Sequence, residues 1–322
     1  MNDTALGEFD LIRRYFTAGA HRHTRTSLGI GDDCAILRPQ PGFDLAVTVD
    51  TLVEGVHFLA GTDAERLGHK ALAVNLSDLA AMGAQPAWVT LALTLPHVDE
   101  AWLSAFSSGF LALAKRSDVE LVGGDTTRGP LSITVQAMGY VEADKALRRS
   151  GAKAGDAVYV TGSVGLAGVG LKSLLGYYDG VASEAIKQLE QPEARVQAGR
   201  ELLGFAHACI DVSDGLSADL GHILDASKVG AALDWEALPL HDEVRQYIAR
   251  TGDWLPPLVA GDDYELCFTM PPQHEPQLAA ALAAVGTGFT RIGMIESEPG
   301  LRLLRNGQLQ QLPVSGYQHF RK

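Results

Sequence analysis

Six short segments place an aspartate at or beside a glycine turn or the end of a predicted element. They are 29–33 (GIGDD), 48–50 (TVD), 75–78 (NLSD), 123–128 (GGDTTR), 211–215 (DVSDG) and 261–265 (GDDYE). Magnesium takes oxygen ligands, usually a few carboxylates with waters and substrate phosphates. Glycines let the backbone approach a phosphate closely and supply N–H donors. The set predicts a site where divalent cations hold a nucleotide triphosphate for phosphoryl transfer, which needs positioning and charge neutralisation.

Each segment also has a purely structural explanation when it is taken alone. A glycine–aspartate pair is ordinary turn chemistry. Asp211 or Ser213 could cap a helix, and Asp78 could lie on a solvated helix face. Asn75 and Asp78 are three residues apart on a predicted helix and so share one face. The hypothesis of a phosphate site therefore rests on the segments as a set.

Two glycine-rich patterns do not match known nucleotide motifs. The segment 165–170 (GLAGVG) does not fit G-x-G-x-x-G, and Leu171 interrupts a P-loop pattern before Lys172. We interpret this segment as glycine packing at a helix start.

His21 and His23 lie in a polar segment and are predicted to be solvated.

The net charge and the cysteines narrow the classes of partner and compartment. The chain has 322 residues, 46% of them hydrophobic, and a formal net charge of −13. An acidic surface repels nucleic acid, anionic lipid and nucleotides, so phosphate binding requires cations or a local basic patch. Three cysteines without a C-x-x-C pair predict reduced, mostly buried thiols. With no signal-peptide pattern and no membrane-length apolar run, we expect a cytoplasmic protein without nucleic-acid or membrane partners.

Helix and strand patterns alternate along the chain and predict a mixed α/β (α+β) fold. Predicted strands cover 43–51, 88–95, 120–122, 131–141, 157–161, 209–211 and 265–270, with strand character again from 290. Predicted helices cover 66–83, 102–117, 193–203, 213–226 and 276–285, and another begins near 167. A polar, turn-rich seam at 146–156 divides two domains, 1–147 and 148–322, each a mixed β-sheet packed with helices.

Seven strings, in order along the chain, carry a family resemblance. They are 29–35 (GIGDDCA), 50–58 (DTLV and GVHF), 70–84 (KALAVNLSDLAAMGA), 123–130 (GGDTTRGP), 149–155 (RSGAKAG), 211–216 (DVSDGL) and 263–268 (DYELCF). From residue 7 to about residue 317 the chain resembles the thiamine-monophosphate kinases, in the superfamily of aminoimidazole ribonucleotide synthetase.

The resemblance implies an activity and an assembly. ATP would phosphorylate thiamine monophosphate to thiamine diphosphate by direct in-line transfer assisted by several Mg²⁺ ions, as the last step of thiamine diphosphate biosynthesis. The N-terminal domain would bind ATP and Mg²⁺ and pair with a second copy through its sheet, forming a homodimer. The C-terminal domain would complete the active-site cleft.

The resemblance also implies roles for individual residues. The implied metal ligands are Asp33, Thr48, Val49 (through its carbonyl), Asp50, Asp78, Asp125, Asp211 and Asp214. The implied contacts to ATP are Gly124, Asp125, Arg149 and Ser213. The implied contacts to thiamine monophosphate are His57, Asp262 and Tyr317, and the implied catalytic aspartates are Asp50, Asp125 and Asp214. Asp262 stands where relatives carry glutamate, so its shorter side chain would need a water or a shifted loop. The Arg149 guanidinium is a fork matched to phosphate oxygens.

Two other functions stay open on the residues alone. An ATP-dependent ligase of the same superfamily would activate an amide oxygen and release a cyclised nucleotide. A non-catalytic dimer would bind Mg²⁺ and ATP tightly without substrate-dependent release of ADP.

Overall fold

The computed structural model describes residues 7–17 and 20–311, which form two compact units. The first unit contains the described residues up to Leu79 and Gln85–Asp144, and the second contains Ala80–Ala84 and the described residues from Lys145 onward. In the described part of the chain, no helix has both the length and the apolar character of a membrane span.

The first unit is a four-stranded sheet with helices. Its elements are α1 (Glu8–Leu11), a π-helical turn (Ile12–Thr17), β1 (Thr26–Leu28), β2 (Ile36–Leu37), β3 (Phe43–Val53), α2 (Ala64–Ala81), β4 (Gln85–Leu95), α3 (Glu100–Arg116), β5 (Glu120–Arg128) and β6 (Ser132–Glu142). The sheet order is β3-β6-β4-β5, which leaves β3 and β5 at the edges. β4 and β5 are parallel and joined through α3, whereas β6 runs antiparallel to both β3 and β4.

Two glycines allow α2 and α3 to pack closely. A Cβ at Gly68 would lie 2.0 Å from the Phe106 carbonyl oxygen, and a Cβ at Gly109 would lie 1.9 Å from the Glu65 carbonyl oxygen. Either side chain would force the helices apart. This contact holds α2 in the position from which it supplies two site residues.

The second unit is a larger mixed sheet. Its elements are β7 (Ala157–Thr161), α4 (Leu166–Leu174), α5 (Ser183–Glu190), α6 (Val196–Glu201), β8 (Ala208–Asp211), α7 (Leu216–Ser227), β9 (Gly230–Asp234), α8 (Asp242–Thr251), α9 (Pro256–Val259), β10 (Leu266–Met270), α10 (Glu275–Ala284), β11 (Phe289–Glu296), β12 (Gly300–Arg305) and β13 (Gln308–Gln310), with 3₁₀ turns at Trp235–Ala237 and Pro272–His274. The sheet order is β13-β12-β9-β11-β7-β10-β8, and among the strand pairs in the described part of the chain only β9–β12 is parallel.

Apolar clusters cover both faces of this second sheet. Ile210 and Cys267 belong to one buried cluster, and Cys209 and Phe268 belong to the other. The predicted fold class, with a mixed sheet packed with helices in each half, is confirmed. The two buried thiols agree with the cysteine prediction, while Cys34 is exposed.

The prediction that His23 is solvated is wrong. Its ring is half-buried and lies edge-on to Trp88 with the ring centroids 5.3 Å apart. Burial lowers the pKa of His23 below its usual value. The His23 N–H donates to the buried carboxylate of Glu120 at 2.7 Å, which fixes the start of the segment that leads to Asp33.

Candidate functional site

Three of the implied metal ligands meet in the first unit, between β3 and α2. Thr48 and Asp50 lie on alternate positions of β3, and the Thr48 hydroxyl donates to the carboxylate of Asp78 on α2. The Asp50 N–H donates to Oδ1 of the fully buried Asn75 at 3.1 Å. The prediction that Asn75 and Asp78 share one helical face is confirmed, and that face contacts β3.

The Asp50 and Asp78 carboxylates are crowded. Burial, the charge of Asp78 and a hydrogen bond to Asp78 raise the pKa of Asp50 to about 6. The Thr48, Asp50 and Asp78 side chains offer only oxygen atoms as metal ligands, and a divalent cation would relieve the repulsion between the two carboxylates. Across the described residues, no three His, Cys, Asp or Glu side chains form a metal cluster. Waters or ligand phosphates would complete the coordination, as is usual for Mg²⁺. The residues therefore fit magnesium.

Val49 and Asp33 lie nearby in sequence but in different settings. The Val49 side chain is 57% exposed on the opposite face of β3, so only its backbone could serve as a ligand. Asp33 lies in the exposed loop between β1 and β2, where its N–H donates to the Asp32 carboxylate at 2.9 Å.

Asp125 lies apart from Asp50 within one chain. Strand pairing places Asp50 in one row across the sheet with Gly124, and places Asp125 in the next row with Thr51. Because successive rows face opposite sides of a sheet, Asp125 shares the exposed face of Val49 while Asp50 faces α2. The two residues also lie on opposite edge strands, three strand spacings or about 14 Å apart.

Gly124 admits no side chain at its position. Its φ is +153°, and a Cβ there would lie 1.8 Å from the Leu91 carbonyl oxygen. β5 approaches β4 so closely at this point that only glycine fits at position 124, immediately before Asp125.

The second unit brings together the loop 211–215 and the segment around Asp262. The Asp262 N–H donates to the Ser213 carbonyl at 2.9 Å, and the Tyr264 N–H donates to the Val212 carbonyl at 2.8 Å. Three implied nucleotide or metal residues of this unit, Asp211, Ser213 and Asp214, thus lie along one edge with Asp262. The Asp262 carboxylate accepts a hydrogen bond from the Tyr264 hydroxyl at 2.9 Å.

Neither Asp211 nor Ser213 is the N-cap of α7. Gly215 precedes the helix, and Oδ2 of Asp219, in the first turn, accepts the N–H groups of Ser213, Asp214 and Gly215. Sequence reasoning missed Asp219. The predicted helix begins at 213, which places Asp219 in its second turn, so the helix-start pattern did not point to this residue.

The Arg149 segment is held by the end of α7. The Ser227 hydroxyl donates to the Arg149 carbonyl at 3.3 Å, and its oxygen accepts the N–H groups of Gly151 and Ala152, each at 3.1 Å. The Arg149 side chain is exposed, as a contact to a soluble ligand requires.

Comparison with known proteins identifies the family. Residues 31–141 match the model of the N-terminal domain of AIR synthase related proteins, and residues 153–306 match the C-terminal domain model. The thiamine-monophosphate kinase of Salmonella typhimurium is 47% identical over 98% of this chain and 99% of its own length. The chain belongs to the thiamine-monophosphate kinase family. It is a kinase, and the thiamine-monophosphate kinase of Haemophilus influenzae, 44% identical over 99% of both chains, supports this assignment.

Solved structures agree with the assignment to thiamine-monophosphate kinases. The Stenotrophomonas maltophilia enzyme has a TM-score of 0.86 at 44% identity, covering 95% of this chain and 99% of that one. AaThiL, complexed with AMPPCP and TMP, has a TM-score of 0.78 at 32% identity, covering 98% and 97%. The hydrogenase maturation protein HypE, at 21% identity and a TM-score of 0.78, shares the fold.

Of the residues implied to contact thiamine monophosphate, the structure describes His57 but not Tyr317. His57 lies in the turn after β3, where its Nδ1 accepts the Val53 N–H at 3.0 Å. This contact places the ring proton on Nε2, which is then a hydrogen-bond donor. The Lys70 ammonium donates to the His57 carbonyl at 3.4 Å. Tyr317 lies outside the described residues.

The glycine-rich segment at α4 is not a phosphate loop in this kinase. The buried Asp263 carboxylate accepts the Gly165 and Ala167 N–H groups at 2.5 and 3.1 Å. Burial raises the pKa of Asp263 to about 8. A Cβ at Gly165 would lie 2.7 Å from Pro257. This close contact confirms the interpretation as glycine packing at a helix start. The Asp263 carboxylate accepts the N–H groups that a bound phosphate would need.

Proposed function

We propose that this kinase transfers the γ-phosphoryl group of ATP to thiamine monophosphate, giving thiamine diphosphate and ADP as the last step of thiamine diphosphate biosynthesis. The observation that carries the proposal is the similarity to thiamine-monophosphate kinases over 98% of the chain. A relative that covers nearly the whole chain, AaThiL, is complexed with AMPPCP and TMP, an ATP analogue and the proposed acceptor.

We propose that several Mg²⁺ ions take part. The proposed ligands are Asp33, Thr48, Val49, Asp50, Asp78, Asp125, Asp211 and Asp214. Bound Mg²⁺ would supply neutralisation of the charge on two mutually repelling phosphate compounds. The crowded oxygen group of Thr48, Asp50 and Asp78 supports this part of the proposal. The role of Asp125 rests on the family resemblance, because its strand lies across the sheet from Asp50.

The remaining assigned residues bind and orient the two substrates. Arg149, Ser213 and the Gly124–Asp125 backbone would contact ATP, and His57, Asp262 and Tyr317 would contact thiamine monophosphate. Direct in-line transfer needs no general base, because a phosphate monoester oxygen is already deprotonated near neutral pH. The chain's residues therefore align the attacking oxygen with the γ-phosphorus and exclude competing geometries.

An assay of ADP release tests the function. The purified chain is supplied with ATP and with thiamine monophosphate, free thiamine or no acceptor, each with and without Mg²⁺. We expect ADP release and thiamine diphosphate only with thiamine monophosphate and Mg²⁺ together. ADP release that is the same without an acceptor, or tight ATP binding with no release, contradicts the proposal.

We expect His57→Ala to raise the KM for thiamine monophosphate about 10-fold while kcat changes little, because a hydrogen bond to a charged group contributes about 1.5–3 kcal/mol. Steady-state kinetics at saturating ATP measure both constants. His97→Ala, a change of an exposed loop histidine in the same unit, is the matched control and should leave KM unchanged. An unaltered KM in His57→Ala removes this residue from the substrate site.

We also propose that the chain is a homodimer that pairs through the first unit. Alternate residues of the edge strand β3 form an exposed apolar row of Phe43, Leu45, Val47 and Val49, between 38% and 57% exposed. A long apolar edge strand left in water is an aggregation hazard, which a partner sheet would cover.

Val47→Asp should convert the dimer to monomer, because it buries a charge in the centre of the paired row. Sedimentation velocity at micromolar concentration measures the mass. Val98→Asp alters an exposed valine outside β3 and should leave the mass unchanged. A wild-type chain that sediments as a monomer contradicts the pairing.

A further inference from the structure

The loop between β8 and α7 is curled around a single buried oxygen. Oδ2 of Asp219 accepts three consecutive backbone N–H groups, those of Ser213, Asp214 and Gly215, at 3.0, 3.0 and 3.1 Å. Asp219 is 2% exposed. A side chain that caps a helix accepts from N–H groups of the first turn. Two of the three donors here, Ser213 and Asp214, precede the N-cap residue, so this carboxylate shapes the loop as well as the helix start.

The opposite edge of the same loop is also fixed. The Ser213 carbonyl accepts the Asp262 N–H, and a Cβ at Gly261 would lie 2.3 Å from that carbonyl oxygen. At the end of the loop, Gly215 has a φ of +112°, and a Cβ there would lie 2.8 Å from the Val259 carbonyl carbon. These contacts hold both edges of the backbone from which the Ser213 and Asp214 side chains project.

We infer that Asp219 is a positioning residue of the nucleotide site: its carboxylate holds the 213–215 loop in the conformation in which Ser213 meets ATP and Asp214 meets the metal. The inference rests on the proposed function for the roles of Ser213 and Asp214. Asp219 itself acts through the loop backbone and contacts no substrate.

A second carboxylate in the same unit provides a matched comparison. Glu243, 6% exposed, accepts the Glu184 and Ala185 N–H groups at 3.2 and 2.8 Å and the Ser183 hydroxyl at 3.3 Å. It is the same kind of buried acceptor at a helix start, and no residue assigned to the site lies in the segment it holds. Loss of either carboxylate leaves buried N–H groups unsatisfied, so both losses should destabilise the fold.

The experiment compares Asp219→Ala, Asp219→Asn and Glu243→Ala with the wild-type chain. Three quantities are measured: hydrogen exchange of the 213–215 amides, calorimetric affinity for AMPPCP with Mg²⁺, and the KM values for ATP and thiamine monophosphate. We expect Asp219→Ala to speed exchange at the three amides and to raise both the AMPPCP Kd and the KM for ATP about 10-fold or more, since small misplacements of binding groups are costly. The KM for thiamine monophosphate should change less. Asn keeps one acceptor oxygen, so Asp219→Asn should recover most of the affinity, with about a 3-fold residual rise in Kd.

Glu243→Ala should lower the Tm while leaving the Kd and KM values unchanged. An equal rise of the ATP KM in Glu243→Ala, or a wild-type AMPPCP Kd in Asp219→Ala, overturns the inference. Should Asp219→Ala fail to fold, unchanged exchange and Kd in Asp219→Asn overturn it instead. AMPPCP binding and amide exchange can be measured without a phosphoryl acceptor. A wild-type chain that fails to phosphorylate thiamine monophosphate would therefore contradict the proposed function without deciding the role of Asp219.

Discussion

Asp50→Asn is expected to lower the turnover of thiamine monophosphate at least about 100-fold, which corresponds to roughly 2.7 kcal/mol of transition-state stabilisation. The substitution removes one of the two carboxylates beside Thr48, and an amide is a poorer ligand for Mg²⁺. The local fold should persist, because the hydrogen bond to Asn75 comes from the backbone of residue 50. The measurement is kcat at saturating ATP over a range of Mg²⁺ concentrations.

Asp44→Asn is the matched control for this variant. Asp44 lies on β3, six positions earlier and with the same alternation, but it is exposed, and its carboxylate accepts the Asp144 N–H at a long distance of 3.4 Å. Its turnover should equal that of the wild type. Asp125→Asn is expected to lose activity to the same extent as Asp50→Asn. Wild-type turnover in both Asp50→Asn and Asp125→Asn would discard the assigned metal roles.

The stability of the Asp50→Asn variant should move in the opposite direction to its activity. The pKa of Asp50 rises from 3.8 to about 6 on folding, so the folded protein binds more protons than the unfolded chain between these values. The free energy of unfolding therefore falls as pH rises through that window, and above it the whole cost is present. Without metal, Asp50→Asn should be more stable than the wild type by on the order of 1–3 kcal/mol near pH ~7.5, and nearly equal to it near pH ~4. Denaturant unfolding in a chelator gives both values, and a variant less stable than the wild type at the higher pH would mark Asp50 as structural.

Hydrophobic periodicity predicted most elements of the fold. The predicted strand 157–161 has the bounds of β7, and the predicted helix 66–83 overlaps α2 over most of its length. The elements that the sequence patterns missed include α5, β9, α8 and α9. β9 is a five-residue strand that begins with three small residues and pairs with β11 and β12. α8 is a short amphipathic helix held by the buried Val244 and Tyr247. Such elements depend on tertiary contacts more than on their own pattern.

The helix predicted to begin at 213 begins at Leu216. The Asp219 carboxylate accepts the N–H groups of Ser213, Asp214 and Gly215, and the Ser213 carbonyl accepts the N–H of Asp262, so these residues stay in a loop. The apolar pattern carries no trace of these contacts, because they depend on where the partner groups lie in three dimensions. The hydrogen bonds of Asp219 that move the helix start to Leu216 are the same ones to which we assign its positioning role.

The sequence also predicts the Thr48, Asp50 and Asp78 group better than the place of Asp125. Alternation places Thr48 and Asp50 on one face of β3, and the three-residue spacing places Asn75 and Asp78 on one face of α2, because both are local rules. The face on which Asp125 lies depends on a register shift between β4 and β5, where Val89 pairs with Leu121 and Thr90 pairs with Gly123. One extra residue in β5 moves every later side chain to the other face of the sheet. The adjacent glycines are compatible with such a bulge but do not specify it, so the separation of Asp125 from Asp50 could not be predicted from the sequence.

The ion pair between Arg195 and the buried Glu265, at the end of the 261–265 segment, carries the largest expected effect on stability. The Arg195 guanidinium binds the Glu265 carboxylate in a bidentate manner, with Nε to Oε2 at 2.6 Å and Nη2 to Oε1 at 2.5 Å. The Thr161 hydroxyl donates to the same carboxylate at 2.7 Å. The Glu265 side chain is 4% exposed. A Cβ at Gly162 would lie 2.0 Å from Glu265 Oε1, so the backbone packs directly against this carboxylate and position 162 requires glycine.

Arg195→Ala should lower the free energy of unfolding by about 3–5 kcal/mol, because it leaves the Glu265 carboxylate buried without its compensating charge. Denaturant unfolding at neutral pH measures the loss. Arg250→Ala, which breaks an exposed pair with Asp179, is the control and should cost no more than about 1 kcal/mol. Combining Arg195→Met with Glu265→Gln removes both charges and should recover part of the stability, because the cost arises from the unpaired carboxylate rather than from the lost contact. A double variant no more stable than Arg195→Ala would contradict this explanation.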